Sequence, residues 1–411
     1  MSTNGASKSL LIYVHVPFCR SKCHFCDWVQ AVPRRDLLLG PEDERRRAYV
    51  SAICREIIER GPALIEAGYR PDVLYFGGGT ASSLSLTETN FLFEALHNAF
   101  GLHALAEATM ECSPDTLTRN KLEYYKGLGI DRISIGLQSL DDGRLRRLGR
   151  IHDSRGGIEA VNQAADCGFD RINVDIMCGF PDESLTEVAE TVSAALKLPS
   201  THLSIYAFRP TPGTVLSRGL DRKNLARARQ QQLLAMSLAR AMAASAGLVE
   251  YAFGYFGEPA LNIVRPFRLK TDVVGFGSGA VSILQRGYYG HSKGHLGSYL
   301  ADPLRWDFSM PAAAAPVALS LLRSGLSVLA GLDHADWEQA TGVSLLQTLA
   351  EPALAPVVNY LRTVGRLVED ERGIRLPADR ISSLLGLAFD VASTLPDQTD
   401  APISIKPDAV G

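Results

Sequence analysis

Short apolar runs alternate with longer stretches whose apolar positions recur every three or four residues through the first 210 residues. The first pattern predicts strands and the second amphipathic helices. Strands are expected near 10–17, 72–76, 108–113, 132–136, 171–177 and 202–208, and helices near 41–67, 86–100, 115–128, 141–148, 156–167 and 184–196. Six such βα units in sequence imply an α/β fold, a parallel sheet covered by helices. Functional residues should then gather at the C-terminal ends of the strands. A long alanine- and arginine-rich helix is expected near 223–246. Strands near 249–256, 272–284 and 287–291 lack regular helices between them, so they should extend the sheet. From Pro311 the composition turns to alanine, leucine and serine, which predicts a small, mostly helical appendage to about Ala392. The end, rich in Pro and Asp, should fray. The expected division is a tail 1–9, the sheet-and-helix array 10–215, its extension 216–305, a helical domain 306–393 and a tail 394–411.

Directly after the first apolar run stand three cysteines, in Tyr13-Val14-His15-Val16-Pro17-Phe18-Cys19-Arg20-Ser21-Lys22-Cys23-His24-Phe25-Cys26-Asp27-Trp28. Thiolates are soft ligands suited to iron–sulfur clusters, zinc and copper. Three on one loop can hold three irons of a [4Fe–4S] cube and leave one iron without a protein ligand, whereas electron-transfer clusters take four cysteines. Structural zinc needs a fourth ligand. His24 lies inside the loop with poor geometry for that, and no second cysteine pair follows. Three buried free cysteines within eight residues are a rare coincidence. A cluster that binds and transforms a ligand is the expectation.

At the end of the second strand lies Gly77-Gly78-Gly79-Thr80, where the backbone can approach a ligand closely. Alone such a run is often only a turn. After a cysteine loop it is the expected cradle for an amino-acid moiety, its consecutive N–H groups gripping a carboxylate and its carbonyls accepting from an amino group. Glu111-Cys112-Ser113-Pro114 and Gln138-Ser139 end the third and fourth strands, Arg150-Ile151-His152 follows in the next helical segment, and Asn173-Val174-Asp175 lies on the fifth strand. Buried without partners they would cost a few kcal/mol. They either pair with one another or meet ribose, amino-acid and adenine groups. Most of the arginines in Arg144–Arg150 read as a solvated helix face, and only Arg150 is singled out, by the resemblance below.

The totals exclude several classes. The chain has 411 residues, is 46% hydrophobic and 21% charged, and carries a net charge of −3, with no basic tract for nucleic acid. No apolar run approaches the ~20 residues that span a bilayer. Met1–Ser9 lacks a signal-peptide layout. Seven cysteines, three of them clustered, suit a reducing cytoplasm. Cys54, Cys112, Cys167 and Cys178 read as small buried hydrophobes. A monomer is expected.

The C-x3-C-x2-C loop resembles that of the radical S-adenosylmethionine (SAM) enzymes. With 77–82, 132–139, 148–152, 173–181 and 202–214, the resemblance narrows to the oxygen-independent coproporphyrinogen III oxidase-like branch, over roughly the first 300 residues. It implies a partial (β/α)6 barrel, a [4Fe–4S] cluster on Cys19, Cys23 and Cys26, and two SAM molecules. By position, Tyr13, Gly78, Glu111 and Val281 would touch the SAM on the cluster. Phe25, Gly79, Thr80, Gln138, Arg150 and Asp175 would line the second. Arg209 takes a second-SAM position where the oxidase has a small residue. The oxidase also carries a fourth cysteine where Trp28 stands here. The related haem chaperone carries a later His-Asn-x-x-Tyr-Trp motif, against Leu261-Asn262-Ile263-Val264-Arg265-Pro266-Phe267 here. The Cys-His-Phe-Cys-Asp-Trp loop is most similar to the class C radical SAM methyltransferases of natural-product pathways, such as those of thiopeptides.

That resemblance implies a methyltransferase in which one SAM is the radical source and the other the carbon donor. The carbon would go to an sp2 carbon of a free or peptide-linked aromatic substrate, with a flavodoxin or ferredoxin as reductant. Cyclopropane formation is a variant, and a haem-binding carrier is the alternative. The two reactive SAM atoms must lie ~3–3.5 Å apart. Asp175, Tyr206 and His202 are the candidate general bases at the barrel mouth. Trp306, His334 and Trp337 either shape substrate access or fill helical core.

Overall fold

The computed structural model describes residues 7–26, 44–211, 213–218 and 222–377. Trp28, on which the separation from the oxidase turns, and the C-terminal segment beyond 377 lie outside the described residues. The expected helix near 41–67 is described from Glu44.

The βα alternation is present as expected. In chain order come β1 (Lys8–Val16), α1 (Glu44–Glu66), β2 (Tyr69–Gly78), α2 (Leu86–Phe100), β3 (Glu107–Cys112), α3 (Arg119–Gly127), β4 (Arg132–Gln138), α4 (Asp142–Arg147), α5 (Ser154–Asp166), β5 (Arg171–Cys178), α6 (Leu185–Ala195) and β6 (His202–Ala207). The expected helix over 115–128 divides into a 3₁₀ turn (Pro114–Thr116) and α3, because Thr118 starts α3 as a cap, accepting from Lys121 N. Reciprocal caps start α2 (Ser85 with Glu88) and α6 (Ser184 with Glu187). The Glu88 carboxylate also binds buried Arg46 of α1 at 2.8 Å, so one cap fastens two helices.

Alternation along each strand explains how the array holds together. Leu10, Ile12, Val14 and Val16 of β1, Leu74 and Phe76 of β2, Met110 of β3, Ile133 and Ile135 of β4, Val174 and Ile176 of β5 and Leu203 and Ile205 of β6 join one core with the helices. The intervening residues take the other face: Tyr13 and His15, Tyr75, Thr109 and Glu111, Ser134 and Gln138, Asn173 and Asp175, then His202, Ser204 and Tyr206. This polar face lines the inside of the curved array.

The chain continues through α7 (Arg222–Ser245), β7 (Glu250–Ala252), β8 (Tyr255–Gly257), α8 (Leu261–Phe267), β9 (Asp272–Phe276), β10 (Val281–Leu284), β11 (Gly287–Gly290), α9 (Leu296–Ala301) and β12 (Phe308–Pro311). All twelve strands form one sheet, ordered β12-β11-β10-β9-β1-β2-β3-β4-β5-β6-β8-β7. β1 to β6 run parallel, and β9 adds a seventh parallel strand beside β1. No closure joins β6 to β1, so the barrel is partial. The run 249–256 is a hairpin turning at Phe253–Gly254, not one strand. The run 272–284 is likewise two strands, broken by the glycine-rich 277–280 turn. β12 lies past the expected boundary at 305 yet pairs with β11.

The remainder packs α10 (Ala315–Leu326), β13 (Leu332–Asp333), α11 (His334–Thr341), α12 (Leu345–Ala350), α13 (Ala355–Thr363), β14 (Val368–Glu369) and β15 (Gly373–Arg375) around a separate core. Its three-stranded sheet, β13-β15-β14, has no counterpart in the helical expectation. Two- and three-residue strands carry too little alternation to be seen in sequence. Trp337 is fully buried there and donates to Thr348 Oγ1 at 3.1 Å, which makes it core. No helix among the described residues is long and apolar enough to cross a membrane.

Candidate functional site

The loop after β1 and the loop after β2 are laced together. Gly79 N donates to Val16 O at 2.7 Å and Thr80 N to Phe18 O at 2.9 Å. A Cβ at Gly79 would stand 2.8 Å from Phe18 O, so only glycine allows this approach. The lacing brings the Thr80 hydroxyl to 3.1 Å from Cys19 Sγ. Gly78, at φ +112, donates its N–H to Glu111 Oε2 at 3.0 Å. These contacts correct one expectation. All three amides of Gly78–Thr80 are taken inside the protein, so the run does not grip a carboxylate with consecutive N–H groups. Its role is to hold the cysteine loop against Glu111 and Thr80.

From the other side the loop is held by α4 and the segment after it. His24 N donates to Leu148 O at 2.9 Å and His24 Nδ1 pairs with Arg147 O at 2.7 Å, which turns this ring away from metal ligation. Arg150 Nη1 donates to Cys23 Sγ at 3.3 Å, and Nη2 donates to Ser113 Oγ at 2.9 Å and Gly136 O at 2.7 Å. Cys19, Cys23, Phe25, Cys26, Gly79, Thr80, Ser113, Gln138 and Arg150 face one cavity of about 120 Å3. A second cavity of about 420 Å3 adjoins it, sharing Asp115, Arg150 and Ile151. Gln138 reaches the first in a left-handed conformation, φ 68, beyond a bulge in β4. A non-glycine residue held so costs about 1–3 kcal/mol, and such strain clusters at functional sites.

The residues fit an iron–sulfur cube. Among the described residues, no three His, Cys, Asp or Glu side chains converge on a single ion. A cube needs no such convergence, because each of its three thiolates meets a different iron. Burial pushes the Cys19 thiol up to about 12, so this sulfur is a thiolate only against a strong positive charge, which bound iron provides. Cys23 and Cys26 lie on the same cavity wall.

Beneath lies the polar inner face of the strands. Tyr13 and Tyr75, opposite one another in register, stack with centroids 6.0 Å apart. Tyr75 donates to Glu111, whose carboxyl burial raises to about 7, with further upward pressure from Asp175. Burial likewise raises Asp175, which accepts from Asn173 Nδ2 at 2.8 Å. Tyr206 Oη donates to Tyr255 Oη at 3.4 Å, and its ring is 38% exposed although desolvation lifts the phenol well above its ordinary range.

Asp175 and Tyr206 therefore belong to this inner wall and do not line the cysteine cavity. His202 is no base: it is buried, bonded to Asn173 and Tyr251, and pushed down to about 2 by burial. Arg209 is exposed after β6 and close enough to Arg323 to lower its pKa, after burial. Val281 begins β10 opposite Gly290 and also lies outside the cysteine cavity. Tyr75 and Tyr255 were missed in the sequence. Tyr75 had a signal, the strand alternation that places it beside Tyr13; Tyr255 sits in a hairpin too short to show one.

Glu111 sets a pH dependence. A carboxyl raised from 4.5 to about 7 binds its proton more tightly folded than unfolded. Its contribution therefore favours the native state at low pH and is lost as pH rises from about 4.5 through 7, by on the order of 3 kcal/mol. Urea midpoints of wild type and Glu111→Gln measured from pH 5 to 8 should diverge, wild type falling more with pH. Parallel curves would contradict the raised value.

Residues 13–195 match the model of the radical SAM superfamily. The chain is 28% identical over 287 residues to heme chaperone HemW of Bacillus subtilis, covering 68% of this chain and 71% of that one. It is 28% identical over 368 residues to heme chaperone HemW of Synechocystis, covering 88% and 87%. Among solved structures it is similar to coproporphyrinogen III oxidase (HemN) from Escherichia coli, with a TM-score of 0.73 at 22% identity over 94% of this chain and 90% of the other. At that identity the likeness establishes the fold, an α/β radical SAM fold with a large mixed sheet.

Proposed function

We propose that this chain, a radical SAM superfamily protein of the HemN/HemW-like branch, holds a [4Fe–4S] cluster on Cys19, Cys23 and Cys26 and uses a second SAM beside it as carbon donor to an aromatic acceptor. The cluster and its SAM, when bound, supply one-electron cleavage of a carbon–sulfur bond. The observation that carries the reading is the shared cavity, where the three cysteines meet Phe25, Gly79, Thr80, Gln138 and Arg150 and a second space opens past Arg150.

The chain's own groups have distinct tasks. Thr80 and Arg150 position two of the three sulfurs. The Gln138 amide, pushed into the cavity by its strained backbone, offers one donor and one acceptor to a nucleoside or amino acid. Glu111, its carboxyl raised to about 7 by burial, accepts from Tyr75 and from Gly78 N and so ties the glycine run to the inner wall. The Tyr206–Tyr255 pair keeps its phenolic protons, and Asp175, raised by burial, can hold a proton on the inner wall.

The relatives' printed names favour a second reading, a protein that binds and hands on haem. Against it stands the stretch where the resemblance sets the chaperone's haem motif. Residues Leu261–Phe267 form α8, which offers no histidine. Ile263, Val264 and Phe267 pack there against a small apolar cluster.

Anaerobically reconstituted protein, given SAM and a one-electron reductant without haem, is expected to release 5′-deoxyadenosine and S-adenosylhomocysteine. Gln138→Ala should lower the second product at least about tenfold while some of the first persists, since one lost hydrogen bond to a charged ligand is worth about 1.5–3 kcal/mol. Tight haem binding with neither product would replace this reading by the haem carrier. Equal loss of both products in Gln138→Ala would overturn the two-site assignment.

A further inference from the structure

We propose that Arg150 sets the reduction potential of the cluster through its hydrogen bond to Cys23, a task separate from any contact with SAM. The proposal rests on the assignment of the cluster to Cys19, Cys23 and Cys26. Its basis is a guanidinium fixed at three points. Nη1 lies 3.3 Å from Cys23 Sγ, while Nη2 is tied to Ser113 Oγ at the end of β3 and to Gly136 O of β4. Both tethers come from the protein, so the position of the charge does not depend on a bound ligand. The planar fork can make all three bonds at once; a lysine ammonium has neither that geometry nor that fixed orientation.

Reduction places one more negative charge on the cluster and its thiolates. A permanent cation donating to a ligating sulfur stabilises the reduced form more than the oxidised one, and so raises the potential. The charge sits in a partly buried cavity, where it is screened less than at the surface. The neighbouring Arg20 does not share the task, since Nη1 donates to Asp115 O at 2.6 Å and lies 3.8 Å from the Asp115 carboxylate. Arg146, on the exposed face of α4, is the control for losing a positive charge without losing the hydrogen bond.

The test is a redox titration of the reconstituted full chain without SAM, the reduced cluster being counted by electron paramagnetic resonance. Iron and sulfide content and visible absorption are measured first. Arg150→Gln is expected to lower the reduced-to-oxidised ratio at a fixed potential at least about tenfold, a midpoint about 59 mV more negative for one electron. Arg150→Lys should fall between, and Arg146→Gln should stay with wild type. A loaded Arg150→Gln protein whose midpoint coincides with that of Arg146→Gln overturns the proposal. If Arg150→Gln does not load, Ser113→Ala, which releases one tether and keeps the charge, carries the test: a negative shift supports the proposal and an unchanged midpoint overturns it. A wild-type chain that takes up no iron and sulfide would sink the cluster assignment itself, an outcome distinct from an unmoved midpoint.

Discussion

Cys19→Ala, Cys23→Ala and Cys26→Ala are each expected to bring SAM cleavage below about one hundredth of wild type. Even partners outside the ligand set change metal affinity about 10–100-fold when removed, and each of these substitutions removes a ligand. The three sulfurs have different surroundings. Cys19 faces Thr80, Cys23 faces Arg150, and Cys26 lies nearest the open side, half-buried where the other two are buried. Iron should therefore be lost in all three variants, while the fold survives, because the loop is fastened by backbone bonds of Gly79, Thr80 and His24. Iron and sulfide analysis, 5′-deoxyadenosine assay and circular dichroism on the same samples read this out. Iron content and cleavage that survive the triple substitution would remove the site from this loop.

Glu56→Ala is expected to cost about 3–5 kcal/mol of stability, the scale for stripping one partner from a buried charged network. Glu56 of α1 is fully buried, yet it accepts from Gly277 N at 3.0 Å and Tyr299 Oη at 2.9 Å, pairs with His291 Nε2 at 3.0 Å, and meets Arg60 at 3.2 Å. Arg60 stacks over Trp306, its carbon 3.6 Å from the ring centroid. Tyr49 extends the network, donating to His15 O at 2.8 Å and accepting from Ser278 N at 3.0 Å. Removing the carboxylate would strand several buried donors at once, in the place where β9 and β10 join the barrel. Glu56→Gln, which keeps an acceptor, should cost less, about 1–3 kcal/mol. Urea unfolding of both variants measures the difference. An Ala variant as stable as wild type would mean that this edge is held by strand pairing alone.

These contacts also mark how far the chain could be read before folding. Trp306 shows the limit: its ring lies between Arg60 and His291 at the sheet edge, a place that neither substrate access nor helical core described. Arg150 was legible as a site residue, but its contact with Cys23, 127 residues away, was not.

By itself the sequence determined the local matter: six βα units, the cysteine spacing, the glycine run behind it and the polar residues at strand ends. Each of these is a repeat or a spacing of a few residues, which dihedral preferences and burial translate directly into structure. Only the tertiary structure decided the rest. It assigned the three glycine-run amides to Glu111, Val16 and Phe18, raised Glu111, bonded His202 to Asn173 and Tyr251, and inserted β9 parallel to β1. Those outcomes depend on which groups meet across tens to hundreds of residues and on how completely water is excluded there, and neither is written in any short stretch of the chain.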